Sequence, residues 1–147
     1  MSLTADNTIA SLYFNGIQVK NLPNANNWEI ADTVLLPPST NIIAIQLQNV
    51  IGTPAGFLAS SSNNCILTNG LWKCTSLSSL NLSAPAMSPY WFTINYNDSS
   101  WPSAKFDYTN GQGYWNEVNV SSISPDAYWV WAASEANDTS VVCRLYI

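Results

Sequence analysis

The chain has 147 residues, a formal net charge of −5 and only 9% charged side chains. Its four cations are scattered along the sequence, so it lacks the basic cluster that nucleic acid or an anionic membrane surface requires. It contains no histidine, which excludes Ser-His-Asp triads, Cys-His dyads and zinc sites with histidine ligands. Seven Trp and seven Tyr remain among many neutral hydrogen-bonding residues, a combination that suits sugar recognition outside the cell.

Asn-x-Ser/Thr sequons indicate a secreted or extracellular glycoprotein, and they occur at Asn81, Asn97, Asn119 and Asn137. The first residues show no signal-peptide pattern, so we expect either a mature fragment or a chain that never enters the secretory path. No apolar run approaches the roughly 18 residues of a membrane span, and we therefore expect no membrane insertion.

Short apolar runs separated by Gly, Pro, Asn and Ser clusters predict one all-β domain over residues 1–147. The first hairpin joins residues 8–14 to residues 17–19 at Asn15–Gly16, because a two-residue turn needs positive φ at both positions. Further strands are predicted over residues 28–36, 41–50, 56–59, 90–96, 127–132 and 140–147, with irregular stretches over 75–88 and 97–115. Eight to ten short strands at this spacing indicate an antiparallel β-sandwich or jelly roll.

The cysteine spacing predicts a disulfide in a second hairpin. A two-residue turn at Asn69–Gly70 places Cys65 opposite Cys74 in a non-hydrogen-bonded pair, where the Cα atoms approach to about 4.5 Å. The alternative pairing joins Cys74 to Cys143 and ties this hairpin to the last strand. Three cysteines cannot all pair within one chain, so one is free or intermolecular; three free thiols are the remaining alternative.

Several segments follow one another in the order of a known module. They are Ala5-Asp6-Asn7 and residues 12–19, 27–28, 41–46, 53–59, 66–74, 96–104, 128–131 and 142–144. Together they resemble the galactose-binding-domain-like β-sandwich of secreted lectins and of modules appended to glycoside hydrolases. The resemblance covers nearly the whole chain and implies a jelly roll that binds sugar, and such modules often hold one structural calcium ion. Oxygen ligands for calcium are available, still unplaced, at Asp6, Asp32, Asp98, Asp107, Asp126 and Asp138.

Two loops combine an aromatic ring with polar neighbours and are the candidate sugar site. Tyr114-Trp115-Asn116-Glu117 follows Gly111 and Gly113, and an exposed ring there would stack on the apolar C–H face of a sugar. Asn26-Asn27-Trp28 offers the same combination in an earlier loop. The competing interpretation of both segments is a buried ring that anchors an ordinary loop.

Two charged residues have both a structural and a binding interpretation. Asp98 opens the segment Asp98-Ser99-Ser100-Trp101 and is expected to fix a turn above a core tryptophan; the alternative makes it a sugar or calcium ligand. Arg144 is expected to pair with a carboxylate of Asp6, Asp98 or Asp107. Its alternative role is to donate hydrogen bonds to two vicinal sugar hydroxyls.

The sequence therefore predicts a non-catalytic carbohydrate-binding module or small lectin, whose partner is a carbohydrate or glycoprotein held by loops at one end of the sandwich. No carboxylate pair lies in a recognisable catalytic context, so we do not expect an enzyme. Monovalent sugar binding is usually near millimolar, so function would need several copies through homo-oligomerisation or repetition. The alternative is an extracellular adhesive or structural protein–protein module, which a flat apolar surface patch would favour.

Overall fold

The computed structural model describes residues 1–50, 52–80, 90–115, 118–134 and 137–147, and in this part the chain forms two five-stranded antiparallel sheets. The strands are β1 (Ser2–Asp6), β2 (Thr8–Phe14), β3 (Ile17–Val19), β4 (Asp32–Thr33), β5 (Ile42–Gln48), β6 (Gly56–Ser60), β7 (Lys73–Ser76), β8 (Lys105–Thr109), β9 (Tyr128–Trp131) and β10 (Ser140–Tyr146). Two short 3₁₀ turns, Leu77–Ser79 and Gly113–Trp115, are the helical segments of the described residues, and neither is long or apolar enough to cross a bilayer.

The first sheet has the order β4-β1-β6-β9-β8 and the second has the order β3-β2-β5-β10-β7. The inner core lies between them. In β5, the alternating residues Ile43, Ile45 and Leu47 are completely buried in this core. From the first sheet, Leu3 and Phe57 are buried in the same cluster. Burying each of these side chains contributes about 1.5–3 kcal/mol to the stability of the fold. The prediction of an all-β chain with antiparallel sheets is confirmed.

The first predicted hairpin is confirmed in detail. Asn15 and Gly16 both have positive φ, 50° and 84°, as a two-residue turn requires. Phe14 pairs with Ile17 directly across the turn. The Asn15 side-chain oxygen also accepts the backbone N–H groups of Asn41 at 2.8 Å and Ile42 at 3.1 Å, so the turn is fixed to the start of β5.

Three other strand predictions differ from the structure. Of residues 28–36, only Asp32–Thr33 forms a strand. Residues 90–96 fold as turns because Arg144 binds the backbone carbonyls of Thr93 and Tyr96, which a flat strand could not present together. Conversely, β8 lies inside the stretch predicted as irregular, where Lys105–Thr109 adds an edge strand to the first sheet.

The predicted Cys65–Cys74 disulfide is wrong, and the alternative is the pairing observed. Cys74 and Cys143 face each other in the β7–β10 register and are joined through their sulfurs, with Cα atoms 4.1 Å apart. The second hairpin does not form, because Asn69 and Gly70 are not among the positive-φ residues of the described chain. Instead the Asn69 carbonyl accepts the Trp72 N–H at 3.3 Å, and the chain curls before β7 begins. Cys65 is an exposed free thiol.

Candidate functional site

The two glycines of the loop after β8 direct the rings that follow them. Gly111 and Gly113 have φ values of 84° and 76°, a region that favours glycine. The 3₁₀ turn Gly113–Trp115 then directs the Trp115 indole inward, where only 4% of the residue remains exposed. Trp115 stacks on Trp129, with ring centroids 4.2 Å apart and planes inclined by 13°. Trp115 is therefore a buried anchor, and the expectation of an exposed ring at this position is wrong.

The second candidate loop also packs against Trp129, the residue on which Trp115 stacks. Trp28 is half-buried and packs edge-on against Trp129, with centroids 6.3 Å apart. We call Trp28, Trp115 and Trp129 the tryptophan cluster. It lies on the outer face of the first sheet, because it packs with Leu58, whose neighbours in β6 point into the inner core.

Backbone contacts fix the second loop to the first sheet. The Thr4 hydroxyl lies 3.2 Å from the Asn27 carbonyl and 3.0 Å from the Trp28 carbonyl, and donates to them. Asn26 is exposed, and Asn27 is exposed with its side-chain oxygen accepting the Glu29 N–H at 3.1 Å. The tryptophans of the two candidate loops thus pack against one shared residue, Trp129.

A buried carboxylate holds Trp115 in place. The indole N–H of Trp115 donates to Asp6 Oδ2 at 3.0 Å, and the neighbouring Asn7 side-chain amide donates to Asp6 Oδ1. Asp6 is buried at the end of β1, so both oxygens of its carboxylate are occupied within the fold. Asp6 was one of three carboxylates expected to pair with Arg144, but Arg144 pairs with Asp98 instead.

Two tyrosines next to this cluster face solvent. Tyr114 is 65% exposed and Tyr108 is 37% exposed. Their ring centroids lie 5.4 Å apart and their planes are inclined by 85°, so the rings form an open corner. Tyr114 also lies edge-on to the buried Trp115, at 6.3 Å. The Tyr108–Tyr114 pair is thus an exposed aromatic surface that packs against the buried Trp115.

Gly113 allows the two tyrosines to approach. A Cβ added at Gly113 would lie 2.2 Å from Cγ of Tyr108, far inside van der Waals contact. Only glycine therefore fits beneath the Tyr108 ring in this arrangement. Sequence reasoning named Tyr114 and missed Tyr108, although the alternation of Lys105, Phe106, Asp107 and Tyr108 is a strand pattern that could have revealed it.

Asp98 and Arg144 belong to a separate buried cluster. Arg144 is 1% exposed, and its Nη1 lies 3.3 Å from Asp98 Oδ2. Lys73 approaches the other oxygen of Asp98 at 3.2 Å. Arg144 also donates to the Tyr96 carbonyl at 3.1 Å and to the Thr93 carbonyl at 2.9 Å. The predicted pairing with Asp98 is the one that forms, and Arg144 has almost no surface left for a ligand.

This second cluster lies on the opposite side of the molecule from the tyrosines. Arg144 stacks over the rings of Tyr96 and Trp101, at 5.0 and 5.8 Å. Trp101 packs with Ala44, which alternates in β5 with residues of the inner core and so faces outward from the second sheet. The candidate residues of the sequence therefore do not converge on one site.

The remaining predicted site residues lie as follows. Asn116, Glu117 and the sequon at Asn81 lie outside the described residues. The sequon residues Asn97, Asn119 and Asn137 are exposed, and their glycosylation stays a prediction. Among the described residues, no group of three or more carboxylate, cysteine or histidine side chains is placed to hold a metal ion. This part of the chain therefore offers no such group of side chains for the predicted calcium ion.

No protein-family model, curated protein or solved structure matches this chain. The resemblance noted in the sequence therefore stays an expectation.

Proposed function

We propose that this chain is a non-catalytic carbohydrate-binding module, of the secreted, galactose-binding-like jelly-roll type, whose sugar-binding surface is the Tyr108–Tyr114 pair. The observation that carries the proposal is the pair of perpendicular, solvent-exposed rings. A tyrosine presents an apolar face, on which the C–H face of a pyranose can stack, and a hydroxyl at its edge that can hydrogen-bond to the sugar.

The rigidity of the base supports this proposal. Rings that are already ordered lose little conformational entropy when a ligand binds, which raises affinity without new contacts. Tyr114 is adjacent to Trp115, which is fixed by stacking on Trp129 and by its bond to Asp6. Tyr108 is held against Gly113 from the other side. An exposed surface with this support resembles a prepared binding site more than an ordinary loop.

Two polar residues close to the tyrosines in sequence offer hydrogen-bonding groups of the kind that sugar hydroxyls need. Gln112 is exposed in the loop between the two tyrosines. Asp107 precedes Tyr108, and its carboxylate is 40% exposed. Its ion pair with Lys105, at 3.6 Å, is exposed to solvent and therefore weak. A carboxylate held so loosely remains able to accept hydrogen bonds from a ligand.

The test is a glycan array probed with multivalently presented protein, with and without calcium. We expect binding to a defined sugar family, and we expect Tyr114→Ala to reduce the signal at least about tenfold, as loss of an anchoring ring costs about 1.4 kcal/mol or more. The matched control is Tyr90→Ala, which removes another tyrosine that is 65% exposed but lies outside the pair.

Two outcomes would contradict the proposal. The first is a blank array with folded, multivalent protein, which would favour the adhesive protein–protein module instead. The second is equal loss of signal in the Tyr114→Ala and Tyr90→Ala variants, because the tyrosine pair would then have no special role. Near-ultraviolet circular dichroism of both variants shows whether the tryptophan packing is intact.

A further inference from the structure

A cavity of about 370 Å³ opens beside the first hairpin. It exists because β3 ends at Val19, so the first half of β2 has no neighbouring strand on that edge. The chain returns to β2 only at Ala25, whose carbonyl accepts the Ile9 N–H at 2.8 Å. The volume lies within the range of small-ligand sites, which is roughly 300–1,000 Å³. This cavity shares no lining residue with the Tyr108–Tyr114 pair.

The lining of the cavity includes one cation, Lys20, which differs from the other three in its ion pairing. Lys73 and Arg144 both pair with Asp98, and Lys105 pairs with Asp107. Within the described residues, Lys20 alone of the four cations has no carboxylate within ion-pair distance. Since the chain carries a net charge of −5, an unpaired ammonium beside a concave surface is the place where a small anion would be attracted.

Two further polar residues line the same space. Ser11 is buried, and its hydroxyl oxygen has no hydrogen-bond partner among the described residues. Because this oxygen has almost no exposed surface, Ser11 forms part of the wall and is not itself a ligand contact. Gln18 is exposed at the cavity and offers an amide that can both donate and accept.

The rest of the lining is apolar. Ile9 and Leu22 contribute to it, and both are packed against the inner core, so this wall is firm. A ligand that fits must therefore combine one negative group with a compact body. The body can lie against the aliphatic wall, and the negative group can reach the ammonium.

We propose that this cavity binds a small carboxylate ligand of monosaccharide size, with Lys20 attracting the carboxylate and Gln18 bonding to its polar atoms. Two kinds of molecule share this chemistry, an acidic sugar and an alicyclic carboxylic acid. The site is distinct from the proposed sugar surface, and its existence does not depend on that surface.

The test is an NMR titration of the ¹⁵N-labelled chain with glucuronate, cyclohexanecarboxylate and, as the uncharged probe, glucose. The first two share a six-membered ring and a carboxylate and differ in their hydroxyls. We expect saturable shifts of the amides in residues 9–11 and 18–20 with at least one carboxylate, and weaker binding at higher salt. Glucuronate alone would identify an acidic sugar, and cyclohexanecarboxylate alone an alicyclic acid.

Variants separate the role of Lys20 from a general charge effect. We expect Lys20→Gln to weaken carboxylate binding roughly threefold to tenfold, the range for one partly exposed charged contact. The matched control, Lys105→Gln, removes an equal charge elsewhere and should leave the affinity unchanged.

Three results would overturn the proposal. They are the absence of saturable shifts with either carboxylate at about 20 mM, binding of glucose as tight as that of the better carboxylate, and unchanged carboxylate binding by the Lys20→Gln variant. Failure here is distinguishable from failure of the sugar-binding proposal. Tyr114→Ala is expected to leave these shifts intact, and Lys20→Gln is expected to leave the glycan array unchanged.

Discussion

Trp115 lies parallel to Trp129 at 4.2 Å while its chain neighbour Tyr114 faces solvent. The burial of one ring thereby fixes the direction of the other. A loop that contains two glycines would otherwise leave both rings free to move. The fixed direction of the exposed Tyr114 ring thus comes from the buried packing of Trp115 in the tryptophan cluster. The two features can be tested separately.

The buried contacts of Trp115 predict that its replacement lowers the free energy of unfolding. Replacing Trp115 by Phe keeps a ring against Trp129 but removes the N–H donor to the buried Asp6. We expect a loss of about 1–3 kcal/mol in the free energy of unfolding, because a buried carboxylate loses a hydrogen bond. Urea denaturation followed by circular dichroism measures this. The control is Tyr114→Ala, a surface change that should stay within about 0.5 kcal/mol; an equal loss in both would refute the separation.

Gly113 predicts an effect on binding as well as on stability. Gly113→Ala adds a Cβ at φ 76° and 2.2 Å from Cγ of Tyr108, so the ring must move. We expect loss of sugar binding and a destabilisation of more than about 1 kcal/mol. Gly52→Ala is the matched control, since Gly52 also has positive φ, at 55°, but nothing lies within 4 Å of its added Cβ.

The comparison of these two glycine variants separates backbone strain from the steric clash. Both should be destabilised by the unfavourable φ, while only Gly113→Ala should change sugar binding and the NMR signals of the Tyr108 ring. If Gly113→Ala bound sugar as well as the unmodified chain, the geometry of the Tyr108–Tyr114 pair would not matter for binding.

The disulfide predicts a large stability contribution. Cys74 and Cys143 are separated by 69 positions, and closing a loop of that length stabilises a fold by about 4 kcal/mol through the entropy of the unfolded chain. We expect the Cys74→Ser/Cys143→Ser double variant to lose stability on that order in thermal unfolding. Cys65→Ser should cost less than about 0.5 kcal/mol, because Cys65 is exposed.

A thiol titration checks the same pairing directly. The oxidised chain should present one reactive thiol before unfolding, from Cys65, and still one after unfolding without a reductant. A titration that found the Cys65→Ser variant still carrying a free thiol would show a different pairing.

The buried cluster around Arg144 predicts that lysine cannot replace arginine. Arg144 uses separate nitrogens for the Thr93 carbonyl and for the Tyr96 carbonyl with Asp98, a geometry that a single ammonium cannot reproduce. We expect Arg144→Lys to be destabilised, and Arg144→Met more so, by about 3–5 kcal/mol, because it leaves a buried carboxylate with one cation fewer.

The control for that series is the exposed pair of Lys105 and Asp107. Lys105→Gln should cost less than about 1 kcal/mol, as solvent screens the pair. Chemical denaturation measures all three variants. Sugar binding by folded Arg144→Lys should be unchanged, since the tyrosines lie on the other side of the molecule. A selective loss of sugar binding without loss of stability would instead make Arg144 a ligand-binding residue.

The sequence predicted those elements whose signals are local. Asn15–Gly16 turns as expected because its neighbours on both sides form strands that pair. Asn69–Gly70 carries the same signal but does not turn that way, because Cys74 pairs with Cys143 of a distant strand. Local turn chemistry could not reveal that competition.

The candidate site shows the same limit. The alternation of residues 90–96 suggested a strand, but the carbonyls of this segment serve a buried arginine that is far away in sequence. The sequence predicted two separate aromatic loops and could not show that Trp28 and Trp115 both pack on Trp129. Which ring of Tyr114-Trp115 faces inward depends on the backbone at Gly113 and on Trp129 of the first sheet, on which Trp115 stacks.

The bond between Cys74 and Cys143 also makes a covalent ring of the chain between them, and Tyr108, Tyr114 and Trp129 all lie inside that ring. A protease that cuts once anywhere between the two cysteines would open the ring but release no fragment. The two pieces would stay joined, and each would keep its strands in sheets already formed. We therefore expect a single cut in this ring to leave the Tyr108–Tyr114 pair covalently attached to the rest of the chain until a second cut is made.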